Sequence, residues 1–281
     1  MVNVTEREVL DAVSALLPEW PRAAIEYRGY LPGGYSNSNH CIHFSGDDYI
    51  FRIPMNPQPY VDRLAEQAWL LALPENIAAK PVALNTFNGH MLTPEIKGEL
   101  LVEAYPKLQA KQLLDYLKTL HAALPQTQRK YDVMALLSAY GMQLEPSTSS
   151  RQMRLDADHS ADFRSCHNDL NPWNVIISAD NHWTTLDWEF AGLQDPLFDL
   201  IALHQGLELD IDLFELAENY LSDRNVSVIG RTERCLAWFW LREHAWAHYQ
   251  LALGNIRAEI EQQLTVSLSR LDDLGLILQP R

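Results

Sequence analysis

His167-Asn168-Asp169-Leu170-Asn171-Pro172-Trp173-Asn174 decides the fold, together with Leu186-Asp187-Trp188-Glu189, whose aspartate follows thirteen residues after Asn174. Phosphoryl transfer from a nucleoside triphosphate needs a carboxylate to orient and deprotonate the attacking hydroxyl. It also needs oxygen ligands that hold Mg²⁺ against the phosphates. The pattern supplies an aspartate base, Asp169, and an amide ligand, Asn174, five positions on. A short hairpin over 174–186 would return Asp187 beside Asn174 as a second metal ligand. Asp and Asn also cap turns. Here Pro172 and Trp173 break any helix and apolar strand-like stretches bound the segment, so it reads as a loop of the kind that carries catalytic groups.

Upstream, Thr5 and Glu8 form a capping-box pattern ahead of Val9, Leu10, Val13, Leu16 and Leu17, which recur at helical spacing. The period then changes. Ile25–Leu31, His40–Phe44 and Tyr49–Ile53 read as strands, separated by Pro32-Gly33-Gly34 and a tight turn over 45–48. A helix with Tyr60, Leu64, Ala68 and Leu71 on one face follows, and strand-like segments near 81–87 and 90–93 complete a small antiparallel sheet. Beyond Gly98 the pattern is helical, with Leu113, Leu117, Leu120 and Leu124 along one side; residues 145–160 read as a polar surface loop. The expected architecture is α+β and bilobal: residues 1–96 form a small antiparallel-sheet N-lobe and residues 97–281 a larger helical C-lobe.

These segments resemble the kinase-like phosphotransferases that include aminoglycoside phosphotransferases, choline and ethanolamine kinases and bacterial thiamine kinases, with a protein-kinase-like fold. The family's HxDxxxxN and IDxE motifs read here as HNDLNPWN and LDWE. The resemblance implies that Asp169 is the catalytic base, that Asn174 and Asp187 hold Mg²⁺, and that ATP is the phosphoryl donor. It also puts Glu189 among the substrate-site residues. Asp195-Pro196-Leu197-Phe198-Asp199-Leu200 looks like the segment whose aspartates support the catalytic loop.

The same resemblance casts Gly33-Gly34-Tyr35-Ser36-Asn37-Ser38-Asn39 as the phosphate-covering turn, with Gly34, Ser36 and Asn37 toward the nucleotide. Arg52, in Tyr49-Ile50-Phe51-Arg52-Ile53-Pro54, stands where protein kinases have lysine. It would contact the phosphates and pair with a helix carboxylate, Glu66, its planar fork replacing a point charge. Thr93-Pro94-Glu95-Ile96-Lys97-Gly98 resembles the connector that holds adenine, through Glu95 and Ile96. GGYSNSN, FRIP, the Arg63-x-x-Glu66 helix and LDWEFAG look most like the bacterial choline kinases; His40 departs from the aromatic usual in that branch. No GxxxxGK[ST] occurs, so a P-loop enzyme is excluded.

Near the C-terminus, Phe239, Glu243, Trp246 and Gln250 recur at three- and four-residue steps and share a helix face. An aromatic wall with a carboxylate is how a quaternary ammonium or thiazolium is held. Trp238 and Trp240 read as core, whereas Glu243 and Trp246 are candidate acceptor contacts, since a charge on an apolar stripe needs a partner. His244 and His248, and His40 and His43, lack the spacing or third ligand of a zinc site.

The composition agrees with a small cationic substrate. Acidic residues number 37 against 22 basic, a net charge of −15, which attracts cations and disfavours nucleic acid and anionic membrane surfaces. Three scattered cysteines, no signal-peptide pattern and no apolar run of membrane-spanning length point to the reducing cytoplasm.

Overall fold

Thr5 and Glu8 cap the first helix reciprocally in the computed structural model, which describes residues 4–105, 107–145, 163–222 and 226–280. That helix, α1 (Glu6–Leu16), buries Val9, Leu10 and Val13. It packs on a five-stranded antiparallel sheet formed by β1 (Glu26–Leu31), β2 (Asn37–Phe44), β3 (Asp47–Pro54), β4 (Ala83–Leu84) and β5 (Met91–Pro94), in the order β1-β2-β3-β5-β4. Ile42, Phe51 and Leu92 complete the core beneath α1. Alternation along β3 has a direct consequence: Phe51 faces this core, so its neighbour Arg52 emerges on the opposite face. Asn39 is the cross-strand partner of Arg52, which places Asn39 and Asn37 on that face too.

Helix α2 (Arg63–Ala72) is turned differently from the sequence expectation. Leu64 and Leu71 are 67% and 70% exposed, whereas Glu66, Trp69 and Leu70 are buried. That face combines packing and charge: Trp69, Leu70 and Leu73 are buried beside Glu66, which faces Arg52.

After the short strand β6 (Glu99–Leu100) the chain is mainly helical: α3 (Leu101–Ala104), α4 (Ala110–Ala123) with Leu113, Leu117 and Leu120 buried as the spacing predicts, and α5 (Val133–Ala139). β7 (Met142–Leu144) follows; the polar stretch expected as a loop falls almost wholly outside the described residues. β8 (Arg164–Cys166) leads into the HNDLNPWN loop, and β9 (Val175–Ile177) and β10 (Trp183–Thr185) form the expected hairpin, with Val175 opposite Thr185. β11 (Gly192–Gln194) pairs with β8. Then come α6 (Leu197–Gly206), α7 (Leu213–Leu221), the 27-residue α8 (Val226–Ala252), α9 (Ala258–Asp273) and β12 (Leu278–Pro280), which pairs with β7. None of the described helices is long and apolar enough to cross a membrane.

The chain divides into two compact units, Met1–Glu99 with Val175–Glu189 and Leu100–Asn174 with Phe190–Arg281. The 175–189 hairpin, grouped with the helical half by the sequence reading, packs with the first unit instead. Thr185 N–H donates to Ile77 O (2.8 Å), and Trp188, almost fully buried, stacks on Trp69 of α2.

Candidate active site

In the second unit the loop 167–174 is built almost entirely by hydrogen bonds to its own backbone. Asp199, buried on α6, accepts from the N–H groups of His167 (2.8 Å) and Asn168 (2.7 Å). Its carboxylate is in turn 2.9 Å from His121 Nε2 on α4, and His121 Nδ1 is 2.7 Å from the Tyr220 hydroxyl on α7. Burial alone would push the Asp199 carboxyl up, but the His121 hydrogen bond and charge and the His167 N–H hold it below its ordinary value. Asp195, from the same segment, takes a two-pronged pair from Arg231 of α8 (both 2.9 Å) and caps α6 at Leu197 N–H.

Asn168 adopts a left-handed conformation (φ 66°), which asparagine tolerates, and its side-chain amide donates to Phe190 O (3.0 Å) and Gly192 O (3.2 Å). This positions the next residue, Asp169, whose N–H donates to His167 Nδ1 (3.1 Å). Leu170 is fully buried as an anchor. Asn171 O and Oδ1 accept from Asn174 N–H and Trp173 N–H, closing the single 3₁₀ turn Pro172–Asn174. The Asn174 amide then donates to Asp169 O (2.9 Å). Gly206 at the end of α6 is required here: a Cβ would sit 2.5 Å from Pro172 Cδ.

One contact was not legible in the sequence. Arg242, on α8, donates to Asn168 O (2.7 Å) and to Asp169 Oδ1 (2.9 Å) and also bonds Glu243. Burial disfavours its charge, but Glu243 and Asp169 outweigh this and hold the guanidinium firmly protonated. Glu243 thus has its partner, and its other oxygen accepts from Gln263 of α9 (2.6 Å). The rest of the stripe splits. Phe239 is buried against Phe198, and Gln250 is buried, accepting from Asn255, so both are packing; Glu243 and Trp246 stay half-buried.

The first unit holds the other charged cluster. Arg52 grips Glu66 with both arms of its fork (2.7 and 3.0 Å) and reaches Asp187 Oδ1 (3.3 Å). Arg63, one turn before Glu66, bonds Glu66 Oε2 (2.6 Å) and Glu189 Oε2 (2.8 Å). At Glu66 burial raises the carboxyl's proton affinity, yet the two arginines prevail and keep it ionised. At Glu189 burial prevails, reinforced by the Asp187 charge, and pushes the carboxyl up to about 8. Oxygens of Glu66, Asp187 and Glu189 lie within 4.8 Å of one another, an all-oxygen set of the kind a hard cation takes. Asp187 is the accessible member, 29% exposed against 0% and 4% for the other two side chains. Its backbone is left-handed (φ 58°), a conformation that aspartate, like asparagine, adopts more readily than other non-glycine residues.

Gly34, Ser36 and Asn37 lie where β1 turns into β2. A Cβ on Gly34 would meet Asn37 O at 2.3 Å, so the turn needs glycine. His40 is buried, bridging Ser38 Oγ (2.9 Å) and the Tyr27 hydroxyl (3.3 Å), and burial lowers its proton affinity. Glu95 and Ile96 follow β5; Glu95 N–H donates to Asp48 O and its carboxylate pairs with Lys97.

Residues 30–239 match the family described as "Phosphotransferase enzyme family". The chain belongs to that family. The phosphotransferase is 24% identical over 212 residues to Protein LicA of Haemophilus influenzae, covering 69% of this chain and 62% of LicA; it therefore spans less than two thirds of that relative. Among solved structures, choline kinase LicA from Streptococcus pneumoniae superposes with a TM-score of 0.72 at 18% identity, over 95% of this chain and 99% of that one. A LicA structure in complex with AMP gives 0.73 at 18% identity, over 96% and 99%. A GDP complex of aminoglycoside 2′-phosphotransferase-IIIa gives 0.57 at 16% identity, over 94% and 97%. The fold is accordingly protein-kinase-like, with mixed helix and antiparallel sheet and the sheet in the N-terminal part.

Proposed function

We propose that this phosphotransferase transfers the γ-phosphoryl group of ATP, with Mg²⁺, to the hydroxyl of a small cationic alcohol of the choline type. One observation carries the acceptor reading: Trp246 stands half-buried one turn from Arg242, which binds Asp169, and Glu243, paired with Arg242 and Gln263, lies between them on the same helix. A cation beside indole and carboxylate is stabilised without needing an N–H donor, and the chain's −15 charge favours its capture. The choline kinase LicA structure supports the same class.

In this reading Asp169 takes the hydroxyl proton as the acceptor oxygen bonds the γ-phosphorus and ADP leaves. Arg52, kept in place by Glu66, meets the phosphates. Gly34, Ser36 and Asn37 offer the close backbone approach, and Glu95 and Ile96 the adenine contacts. Asp187 and Asn174 would hold Mg²⁺, which supplies charge neutralisation at the phosphates. Glu189 is kept as a substrate-site residue in this reading, with Arg63 as its ion-pair partner.

The test is a panel of choline, ethanolamine, thiamine, an aminoglycoside and an amino sugar, each assayed for ATP-dependent phosphorylation with Mg²⁺ and with EDTA. Choline turnover that EDTA abolishes is expected. Turnover of another alcohol alone would move the acceptor and keep the kinase. Nucleotide binding without transfer to any acceptor would instead mark a pseudokinase.

A further inference from the structure

We infer that Arg242 is the positioning residue of the reaction, fixing Asp169 and tying it to the acceptor face of α8; the inference rests on Asp169 being the base. The guanidinium is committed on every side. Nη1 donates to Asn168 O, Nη2 to Asp169 Oδ1, and Nε to Glu243 Oε1. Its carbon lies 5.9 Å from the ring centres of both Phe198 and Phe239, which are themselves 6.3 Å apart, so the two rings from α6 and α8 meet the guanidinium from one side. The side chain is 12% exposed. Held this way, Arg242 sets where the loop carbonyl before the base lies and how the carboxylate is turned about its own bond.

The arrangement has a chemical reason. A carboxylate that must accept a proton from a weakly acidic hydroxyl has to meet it in one orientation, and loose positioning costs rate more than binding. The loop's own hydrogen bonds fix the Asp169 backbone; on its carboxylate Arg242 makes a charged contact of 2.9 Å, beside longer ones from the Asn171 and Asn174 amides (3.4 and 3.5 Å). Two separate nitrogens reach the carbonyl and the carboxylate, a geometry that a lysine ammonium on a flexible stem cannot reproduce. The third arm joins the same guanidinium to Glu243, and Gln263 fixes the far oxygen of that carboxylate. An acceptor held at Glu243 and Trp246 therefore shares a rigid ion pair with the group that deprotonates it.

The experiment uses the full-length enzyme with ATP, Mg²⁺ and choline, or whichever panel alcohol turns over fastest. Arg242→Gln should lower kcat about 10²-fold with KM for ATP near wild type, measured at a temperature where the variant is folded, since Asp169 and Glu243 lose a largely buried ion-pair partner. Arg242→Lys should recover only part of the rate. Guanidinium added to Arg242→Ala should restore activity that the same concentration of ammonium does not. In an Asp169→Asn background, Arg242→Gln should cause no additional loss, because a positioning residue has nothing left to position. Four results overturn the inference: wild-type kcat in Arg242→Gln, equal losses in both backgrounds, full activity in Arg242→Lys, or absence of guanidinium rescue in a folded Arg242→Ala. If Asp169→Asn itself keeps its rate, the base reading fails and this inference with it; an inactive Asp169→Asn beside a fully active Arg242→Gln sinks the inference alone.

Discussion

In the first unit Arg52 and Arg63 share Glu66 and extend to Asp187 and Glu189, so charge is held by charge in a buried cluster of three carboxylates and two guanidinium groups. In the second unit Asp169 sits on a loop whose backbone is fixed by Asp199, Asn168 and Asn174, with Arg242 as its charged arm. In the first arrangement burial, reinforced by the Asp187 charge, pushes Glu189 toward its neutral form. The second leaves little electrostatic slack and specifies one conformation. A buried ion cluster tunes affinity for a charged ligand, while a hydrogen-bonded loop fixes geometry.

Three substitutions break or sharpen that contrast. The largest effect on stability belongs to Glu66→Gln. A glutamine oxygen satisfies one arginine and its NH₂ opposes the other donors, leaving buried charge uncompensated. The cost should be about 3 kcal/mol, the low end for a broken buried pair, because Asp187 and Glu189 still face the arginines. Denaturant unfolding checks this, and an unchanged midpoint would show that the cluster is not a charge lattice. Acid has the same origin of effect: Glu66 has its carboxyl lowered, so its contribution is present above the unfolded value and is lost as pH falls through the folded one.

Asp199→Asn comes next. Its oxygen can accept only one of the two loop N–H groups, and the amide NH₂ confronts the other. A loss of about 1.5–3 kcal/mol is expected, as for hydrogen bonds to a charged group, with kcat falling and KM for ATP unchanged. Steady-state kinetics decide it: a change in KM for ATP alone would contradict the loop-clamp role. The smallest effect is that of Trp246→Ala. A cation beside indole is worth roughly 0.5–2 kcal/mol, so KM for the cationic acceptor should rise several-fold while KM for ATP holds. Equal efficiency with a neutral isostere of choline, carbon replacing the ammonium nitrogen, would return Trp246 to packing.

What was legible in the sequence and what was not follows from distance along the chain. HNDLNPWN and LDWE are local, and strand alternation is enough to send Arg52 away from the core, while Glu66 as its partner followed from the family resemblance. The buried face of α2 was misplaced because two apolar faces compete on that helix, Leu64 with Leu71 and Trp69 with Leu70 and Leu73, and the second is the one that carries Glu66. Arg242 and His121 escaped notice because their partners lie 73 and 78 residues away, and a lone arginine in an aromatic stripe has no motif. Half of that stripe turned inward for an ordinary reason: Phe239 found Phe198, and Gln250 found Asn255.

The central claim is that Asp169 acts on the acceptor hydroxyl and not on the nucleotide. The measurement that tests it most directly is Asp169→Asn, with kcat taken from acceptor phosphorylation and ATP affinity from equilibrium titration on the same preparation. The account predicts that kcat falls by about 10²–10⁴-fold while ATP affinity is unchanged. A variant that keeps near wild-type kcat, or one that loses ATP affinity in step with rate, would contradict it.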